Sequence, residues 1–333
     1  MPALSVRHLS VHAGGLALVQ DVSFDVAAGE RVGLIGESGS GKSLTALAIM
    51  GLLGGGLTAT GQVLLDEEDL LAATERRRDQ LRGDRVTMIF QEPMTALNPT
   101  MRIGRQVGEP LREHRGLSRA QADLRAVELL ARVEIPEPGR YARLYPHQLS
   151  GGQRQRAMLA AALACDPQVI VADEPTTALD VTVQQRVLEL MGRLVAEEGS
   201  ALLLITHDLA VVAQICDRIV TMYGGRVVEV GETSAVLDAP RHPYSQALVA
   251  TSAAVSVDTD FGDGDLPTIA GTVPAAGRFP AGCPFRDRCP RADDACGETP
   301  PLGELDGRLV ACWHPVPLGQ RPVTGASVVQ VEP

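Results

Sequence analysis

Residues 31–53 read RVGLIGESGSGKSLTALAIMGLL. The first five form a short apolar strand, and Leu44 to Leu53 read as an apolar helix. Between them, Gly36-Glu37-Ser38-Gly39-Ser40-Gly41-Lys42-Ser43 fits the pattern G-x-x-x-x-G-K-[ST], in the strand–loop–helix setting that this pattern requires. Glycines at this spacing free backbone N–H groups to wrap around phosphates, helped by the positive end of the following helix. Lys42 is then expected to neutralise β- and γ-phosphates, and the Ser43 hydroxyl to bind Mg²⁺. Gly36, Ser38, Gly39, Ser40, Gly41 and Leu44 complete the expected nucleotide-binding stretch. The chain has 30 basic residues, yet Lys42 is the one lysine among them. An ammonium kept amid so many arginines points to a place where a guanidinium does not fit.

Outward from this loop, further apolar strands lie at 86–90 (VTMIF), 168–172 (QVIVA) and 201–205 (ALLLI), the last two each followed by a helix. From about 100 to 165 the pattern is helical, with Ser118 and Gln121 forming a capping box. Short apolar strands alternating with helices imply a parallel sheet covered on both faces. Residues 4–11 and 18–26 read as strands around a turn at 12–15, and 218–230 as a hairpin turning at Gly224-Gly225. Residues 54–61 read as glycine-rich punctuation. The expected fold is an α/β nucleotide-binding domain over 1–235. It has a parallel-sheet core, an antiparallel β subdomain and a helical subdomain at about 95–160. Residues 236–333 form a small irregular Cys-rich C-terminal domain, with a helix at 242–249, an acidic linker at 253–268 and a tail.

Composition narrows the function classes. Of the 333 residues 45% are hydrophobic and 21% charged, which excludes disorder for most of the chain. Aromatics at 3% argue against a stacking platform for single-stranded nucleic acid. The net charge of −11 repels phosphate backbones and anionic lipid. No apolar run approaches the ~20 residues of a membrane helix, and the start, MPALSVRHLSVH, carries no export-signal pattern. The expectation is a cytoplasmic chain that reaches a membrane only by docking onto other subunits.

Residues 168–174 (QVIVADE) end an apolar strand in two carboxylates. Asp173 is expected to hold Mg²⁺, in part through water, and Glu174 to polarise the attacking water. Such a pair also occurs at ordinary helix N-termini, but beside a phosphate loop that reading loses its force. Leu149-Ser150-Gly151-Gly152-Gln153 resembles the LSGGQ signature of ABC ATPases, and RQRAMLAAALACDP after it has the family's helix pattern. Gln91 (in FQEP), Ala178-Leu179-Asp180 and His207 (in ITHD) follow in family order, so the resemblance covers residues 1 to about 235. It implies an ABC-type P-loop domain that works as a head-to-tail pair. Ser150, Gly151, Gly152 and Gln153 then act on ATP held by the partner, while Lys42, Asp173 and Glu174 serve the chain's own ATP. The resemblance further implies that His207 touches the γ-phosphate, that Gln91 links Mg²⁺ to a permease-docking surface, and that Asp180 organises the dimer interface.

A narrower resemblance spans nearly the whole chain. QEPMTALNPTMRIGRQVGEP (91–110), EPTTALDVTVQQRVLEL (174–190) and RHPYSQAL (241–248) look like the oligopeptide/dipeptide (and nickel) importer ATPases. That implies ATP hydrolysis driving peptide uptake, at the cytoplasmic face of the cell membrane. The implied partners are a second homologous ATPase in a heterodimer, two permease subunits and an extracytoplasmic substrate-binding protein, with no nucleic acid. The alternatives are a soluble ABC ATPase acting on nucleic acid, ribosomes or Fe–S assembly, and an importer of nickel or another solute.

One position departs from the family pattern. Counting back from Asp21-Val22-Ser23, the place of the usual adenine-stacking aromatic falls on Ala13, with His12 beside it as a substitute. The cysteines are the remaining feature. Cys165 and Cys216 read as buried thiols. Cys283, Cys289, Cys296 and Cys312 form C-x5-C-x6-C-x15-C. Disulfides do not suit a cytoplasmic chain, and zinc sites usually show tighter C-x2–4-C pairs. Thiolates flanked by proline, as in Cys283-Pro284 and Cys289-Pro290, fit a [4Fe–4S] cluster, which the matching end of the importer ATPases also implies. Zn²⁺ and free thiols remain open. Because every nucleotide-site residue named above precedes residue 208, the cysteine cluster is expected to lie well away from the ATP.

Overall fold

The computed structural model describes residues 2–91, 96–176, 179–256 and 268–320. Its strands are β1 (Pro2–Ala13), β2 (Leu16–Ala27), β3 (Arg31–Ile35), β4 (Leu57–Leu65), β5 (Glu68–Asp69) and β6 (Val86–Ile89). Then follow β7 (Val169–Asp173), β8 (Ala201–Ile205), β9 (Arg218–Tyr223), β10 (Arg226–Glu232), β11 (Gly303–Leu305) and β12 (Arg308–Val310). A smaller antiparallel sheet has the order β2-β1-β4-β5, and a larger one the order β11-β12-β10-β9-β3-β8-β7-β6. Within the larger sheet β9, β3, β8, β7 and β6 run parallel, while β10, β12 and β11 join antiparallel.

Alternation along the central strands explains the layers. Val169, Val171, Leu203 and Ile205 point to a core shared with the antiparallel sheet, where Leu4, Val6, Val22 and Val26 are fully buried. Ile170, Ala172, Leu202 and Leu204 point to the other face, against a helical layer. With both faces covered, the strands need apolar residues at every position, and β7 and β8 are buried throughout. The helical arm comprises Ile103–Arg115, Arg119–Arg132, Pro138–Tyr141 and Gly151–Ala162, and its apolar stripes, including Val107, Leu111, Leu129 and Leu159, enter that second core. The Ser118–Gln121 capping box is present at the start of Arg119–Arg132.

Several elements differ from the reading of the sequence. The glycine-rich stretch 54–61 passes into β4, which pairs antiparallel with β1 from Leu57 to Leu65. Pairing overrides composition there: Val63 and Leu65 bury against β1, and Gly61 takes a φ of 101° where a Cβ would lie 2.4 Å from the His8 carbonyl oxygen. Near the C-terminus, β12 pairs with β10 through Glu229↔Val310, so the Cys-rich part adds strands to the main sheet. The expected helix at 242–249 extends over Pro243–Ser256. Most of the acidic linker (257–267), the end of the tail (321–333), Glu92–Thr95 after the Q-loop and Thr177-Ala178 lie outside the described residues. A third core gathers Tyr223, Val228, Tyr244, Cys283, Phe285 and Cys296, joining the end of the sheet to the Cys-rich part.

Candidate nucleotide site

The strand ends of the parallel sheet carry the site. β3 delivers residues 36–41, and the helix Lys42–Ile49 starts at once behind them. Gly36 (φ 149°), Gly39 (φ 80°) and Gly41 (φ 100°) turn the loop through conformations that disfavour side chains. At Gly36 a Cβ would stand 2.2 Å from the Met222 carbonyl oxygen, so the loop lies directly on the end of β9. The Lys42 side chain folds back inside this loop. Its Nζ donates to the Gly36 carbonyl at 2.7 Å, to the Glu37 carbonyl at 3.0 Å and to Ser40 Oγ at 3.3 Å. Burial pushes the Lys42 ammonium below its ordinary pKa, opposed by Glu174, Asp173 and Glu37.

β7 brings Asp173 and Glu174 to the same edge. Ser43 Oγ donates to Asp173 Oδ1 at 3.1 Å, so the hydroxyl and carboxylate expected to share a Mg²⁺ are already adjacent. Burial raises the Asp173 pKa, which a bound cation would reverse. Glu174 sits in a left-handed backbone conformation (φ 43°), with its N–H donating to the Ile205 carbonyl at 2.9 Å. Its carboxylate accepts from Gln91 Nε2 at 3.0 Å and lies 3.3 Å from His207 Nδ1. Gln91 and His207, expected from separate motifs, thus converge on the Glu174 carboxylate. Ser38 to Leu44, Gln91, Glu174 and His207 border an open cleft of about 710 Å³.

The signature stretch is built differently. Ser150 caps the helix Gly151–Ala162, accepting from the Gln153 N–H while Gln153 Oε1 accepts from the Ser150 N–H. A Cβ on Gly151 would lie 3.0 Å from Leu179 Cδ2, and one on Gly152 would lie 2.6 Å from Val183 Cγ1. The glycines therefore let this helix start close against the segment headed by Asp180, whose carboxylate accepts from the Val183 N–H at 3.0 Å. None of Ser150, Gly151, Gly152 and Gln153 borders the cleft that holds Lys42.

The expectation that everything at the nucleotide site precedes residue 208 is not met. Gly224, Ala276 and Phe279 also line the cleft. The Tyr244 hydroxyl accepts from the Glu37 N–H at 2.6 Å, and Arg288 donates to the Glu37 carboxylate. The Cys-rich part packs on the phosphate loop through these residues, which no local pattern signals.

Cys283 and Cys296 are buried, Cys289 and Cys312 partly so, and the Cys283 N–H donates to the Cys296 carbonyl at 3.0 Å. Burial, reinforced by the neighbouring thiols, pushes Cys289 up to about 11 and Cys312 up to about 12. A bound cation would offset that cost by favouring the thiolates. The sequence reading missed two neighbours. Ligand atoms of Asp293, Cys296 and His314 lie within 4.8 Å of one another, with His314 Nε2 2.7 Å from Asp293 Oδ1. The signal available was His314 two residues after Cys312. Cys165 and Cys216 are buried thiols at helix ends.

A parallel sheet that delivers a phosphate loop and a buried aspartate to one edge belongs to the P-loop nucleotide-hydrolysing class. Comparison with known proteins then fixes the branch. Residues 19–177 match the ABC transporter family, and 228–296 match the C-terminal region of oligopeptide/dipeptide transporters. The oligopeptide transport ATP-binding protein OppD of Salmonella typhimurium is 45% identical over 304 residues, covering 91% of this chain and 90% of the relative. The dipeptide transport ATP-binding protein DppD of Escherichia coli is 44% identical over 329 residues, covering 97% and 99%. Among solved structures, the ATP-binding cassette MJ0796, in a dimeric post-hydrolysis state bound to ADP and Pi, superposes with a TM-score of 0.62. It is 30% identical and covers 69% of this chain and 98% of that one. The chain belongs to the ABC transporter ATPases, in the branch of oligopeptide/dipeptide transport ATP-binding proteins.

Proposed function

We propose that this ATPase drives uptake of oligopeptides or dipeptides through a membrane importer, acting peripherally at the cytoplasmic face. One observation carries the reading: an ABC cassette and the C-terminal region of peptide transporters stand in one chain, aligned along almost the full length of peptide-transport relatives. In this reading residues 1–235 form the cassette and 236–333 the importer-type C-terminal domain.

ATP enters the cleft with its β- and γ-phosphates in the loop from Gly36 to Leu44, where Lys42 exchanges its backbone partners for phosphate oxygens. Ser43 and Asp173, with Gln91 nearby, would hold Mg²⁺, which would supply positive charge to the phosphates. Glu174 accepts a hydrogen bond from the attacking water, and His207 steadies the γ-phosphate from beside that carboxylate. Ser150, Gly151, Gly152 and Gln153 face away from this ATP and close over the ATP of a second, homologous subunit, with Asp180 between the two. Two permease subunits and an extracytoplasmic binding protein complete the importer. We infer further that Cys283, Cys289, Cys296 and Cys312 ligate a [4Fe–4S] cluster, with Zn²⁺ as the competing occupant.

Uptake of labelled peptides in cells lacking the gene, restored by the wild-type chain and not by Glu174→Gln, tests the transport reading. Co-purification with nucleic acid or ribosomes in place of permeases would overturn it, and uptake of nickel alone would replace the solute. Anaerobic protein with about four irons per chain supports the cluster, whereas a colourless protein with zinc or no metal removes it.

A further inference from the structure

We propose that Phe279, from the Cys-rich part of the chain, is the shelf on which adenine stacks, taking the role left vacant at Ala13. The proposal rests on ATP occupying the cleft around Lys42 and names how its base is held. Among the described residues bordering that cleft, Phe279 is the one phenylalanine, tyrosine or tryptophan. The phosphate end is accounted for by the glycine loop and its polar neighbours. The base needs a flat apolar surface, and Ala13, paired with Leu16 across the β1–β2 turn, supplies none.

Two contacts and a closed turn position the ring. It packs edge-to-face with Tyr223, with centroids 5.9 Å apart and planes at 83°. Gly224 makes room for it, since a Cβ there would lie 3.0 Å from Phe279 Cε1. The turn before it is closed by the Arg278 N–H donating to the Ala275 carbonyl at 2.9 Å, and at Gly277 (φ 81°) a Cβ would lie 2.9 Å from Leu16 Cδ1. The Gly224-Gly225 turn is itself tied to both sides of the site: the Gly225 N–H donates to the Ser40 carbonyl at 3.1 Å and the Gln20 N–H to the Gly225 carbonyl at 2.8 Å. Phe279 thus sits against the structure that joins β2 to the phosphate loop. It is only partly buried, which leaves ring surface for a base.

Titration calorimetry of the full-length chain with Mg²⁺-ATP and with inorganic tripolyphosphate separates base from phosphate. Phe279→Ala is expected to weaken ATP binding about five- to hundredfold, the range of a lost base–aromatic stack, with tripolyphosphate unchanged. Phe279→Leu keeps apolar bulk without a π-face and should repeat the loss, and Phe279→Trp should retain wild-type affinity. Unchanged ATP affinity in both the alanine and leucine variants overturns the proposal, and so does an equal loss for both ligands, which marks a purely structural ring. A wild-type chain that binds neither ligand overturns the nucleotide reading instead.

Discussion

Arg288 grips Glu37 inside the phosphate loop: Nη1 donates to Oε2 at 2.7 Å and Nη2 to Oε1 at 3.1 Å, although the two residues are 251 positions apart. The guanidinium is almost fully buried, with a side-chain exposure of 6% against 25% for the carboxylate. Two further N–H groups are used as well, Nε on the Ala270 carbonyl at 2.7 Å and Nη1 on the Tyr223 hydroxyl at 3.3 Å. The paired geometry needs the planar fork of arginine. Arg288→Ala should therefore destabilise the chain by about 3 kcal/mol, the cost of stranding a buried partner, and Arg288→Lys should recover little of it. Chemical denaturation of these variants, combined with Glu37→Gln in a double-mutant cycle, measures the coupling. Additive losses would mean that the two side chains do not interact energetically.

Lys42 faces a narrower demand. Its three protons meet three acceptors at 2.7, 3.0 and 3.3 Å within a loop turned by glycines. A guanidinium is longer and planar, and cannot address three converging oxygens from that stem. Lys42→Ala should weaken ATP by about ten- to hundredfold, the loss of charge-assisted bonds to phosphate, and Lys42→Arg should do no better. Tight ATP binding by the arginine variant, measured by calorimetry, would remove the steric argument.

Glu174 separates binding from chemistry. Its carboxylate is held between Gln91 and His207 at the wall of the cleft that also holds Lys42. Glu174→Gln keeps an acceptor for Gln91 but not the negative charge that draws on water. Turnover should fall by about 10²–10⁴ while ATP affinity is kept. Hydrolysis at the wild-type rate in the assembled transporter is the result that would displace Glu174 from this role.

The nucleotide loop was legible because its parts are local. Strand, glycines, Lys42, Ser43 and helix lie within one short run, and the spacing of each residue type carries its reason. The same holds for Ser118 with Gln121, where a cap and its partner sit three residues apart. β4 escaped because its stability comes from pairing with β1 rather than from its own residues. Phe279, Tyr244 and Arg288 escaped for a related reason. Each meets the site only through tertiary packing, and no periodicity announces which loop a distant side chain will reach. His314 and Asp293 stand outside the cysteine pattern, and His314 meets Cys296 only because the chain after β12 returns to residues 293–296.

The junction between cassette and Cys-rich part should also be sensitive to acid, through His242. The imidazole is 1% exposed, and its Nδ1 accepts from the Tyr244 N–H at 3.0 Å, so the ring must be neutral with its proton on Nε2. The charged groups nearby are already committed to one another: Glu229, fully buried, accepts from the Arg241 and His242 N–H groups at 2.9 Å each, and Arg308 Nη1 stands 3.4 Å from it. Phe285 packs against the ring at 6.0 Å. Burial lowers the His242 pKa to about 3, well under the ordinary value of 6.5. The sign follows from proton counting. Below about pH 6.5 the unfolded chain binds a proton that the folded one refuses, so stability falls as pH drops from 6.5 towards 3, by about 1.4 kcal/mol per unit. At pH 4.5 the loss from this residue alone should reach about 2–3 kcal/mol. Other carboxylates and histidines titrate in the same window, so the test is a difference. His242→Asn keeps an acceptor for Tyr244 but cannot take up the proton. Urea unfolding of wild type and variant from pH 7 to pH 4.5 should show a gap that narrows with acid, and two parallel curves would mean that His242 is not the group responsible.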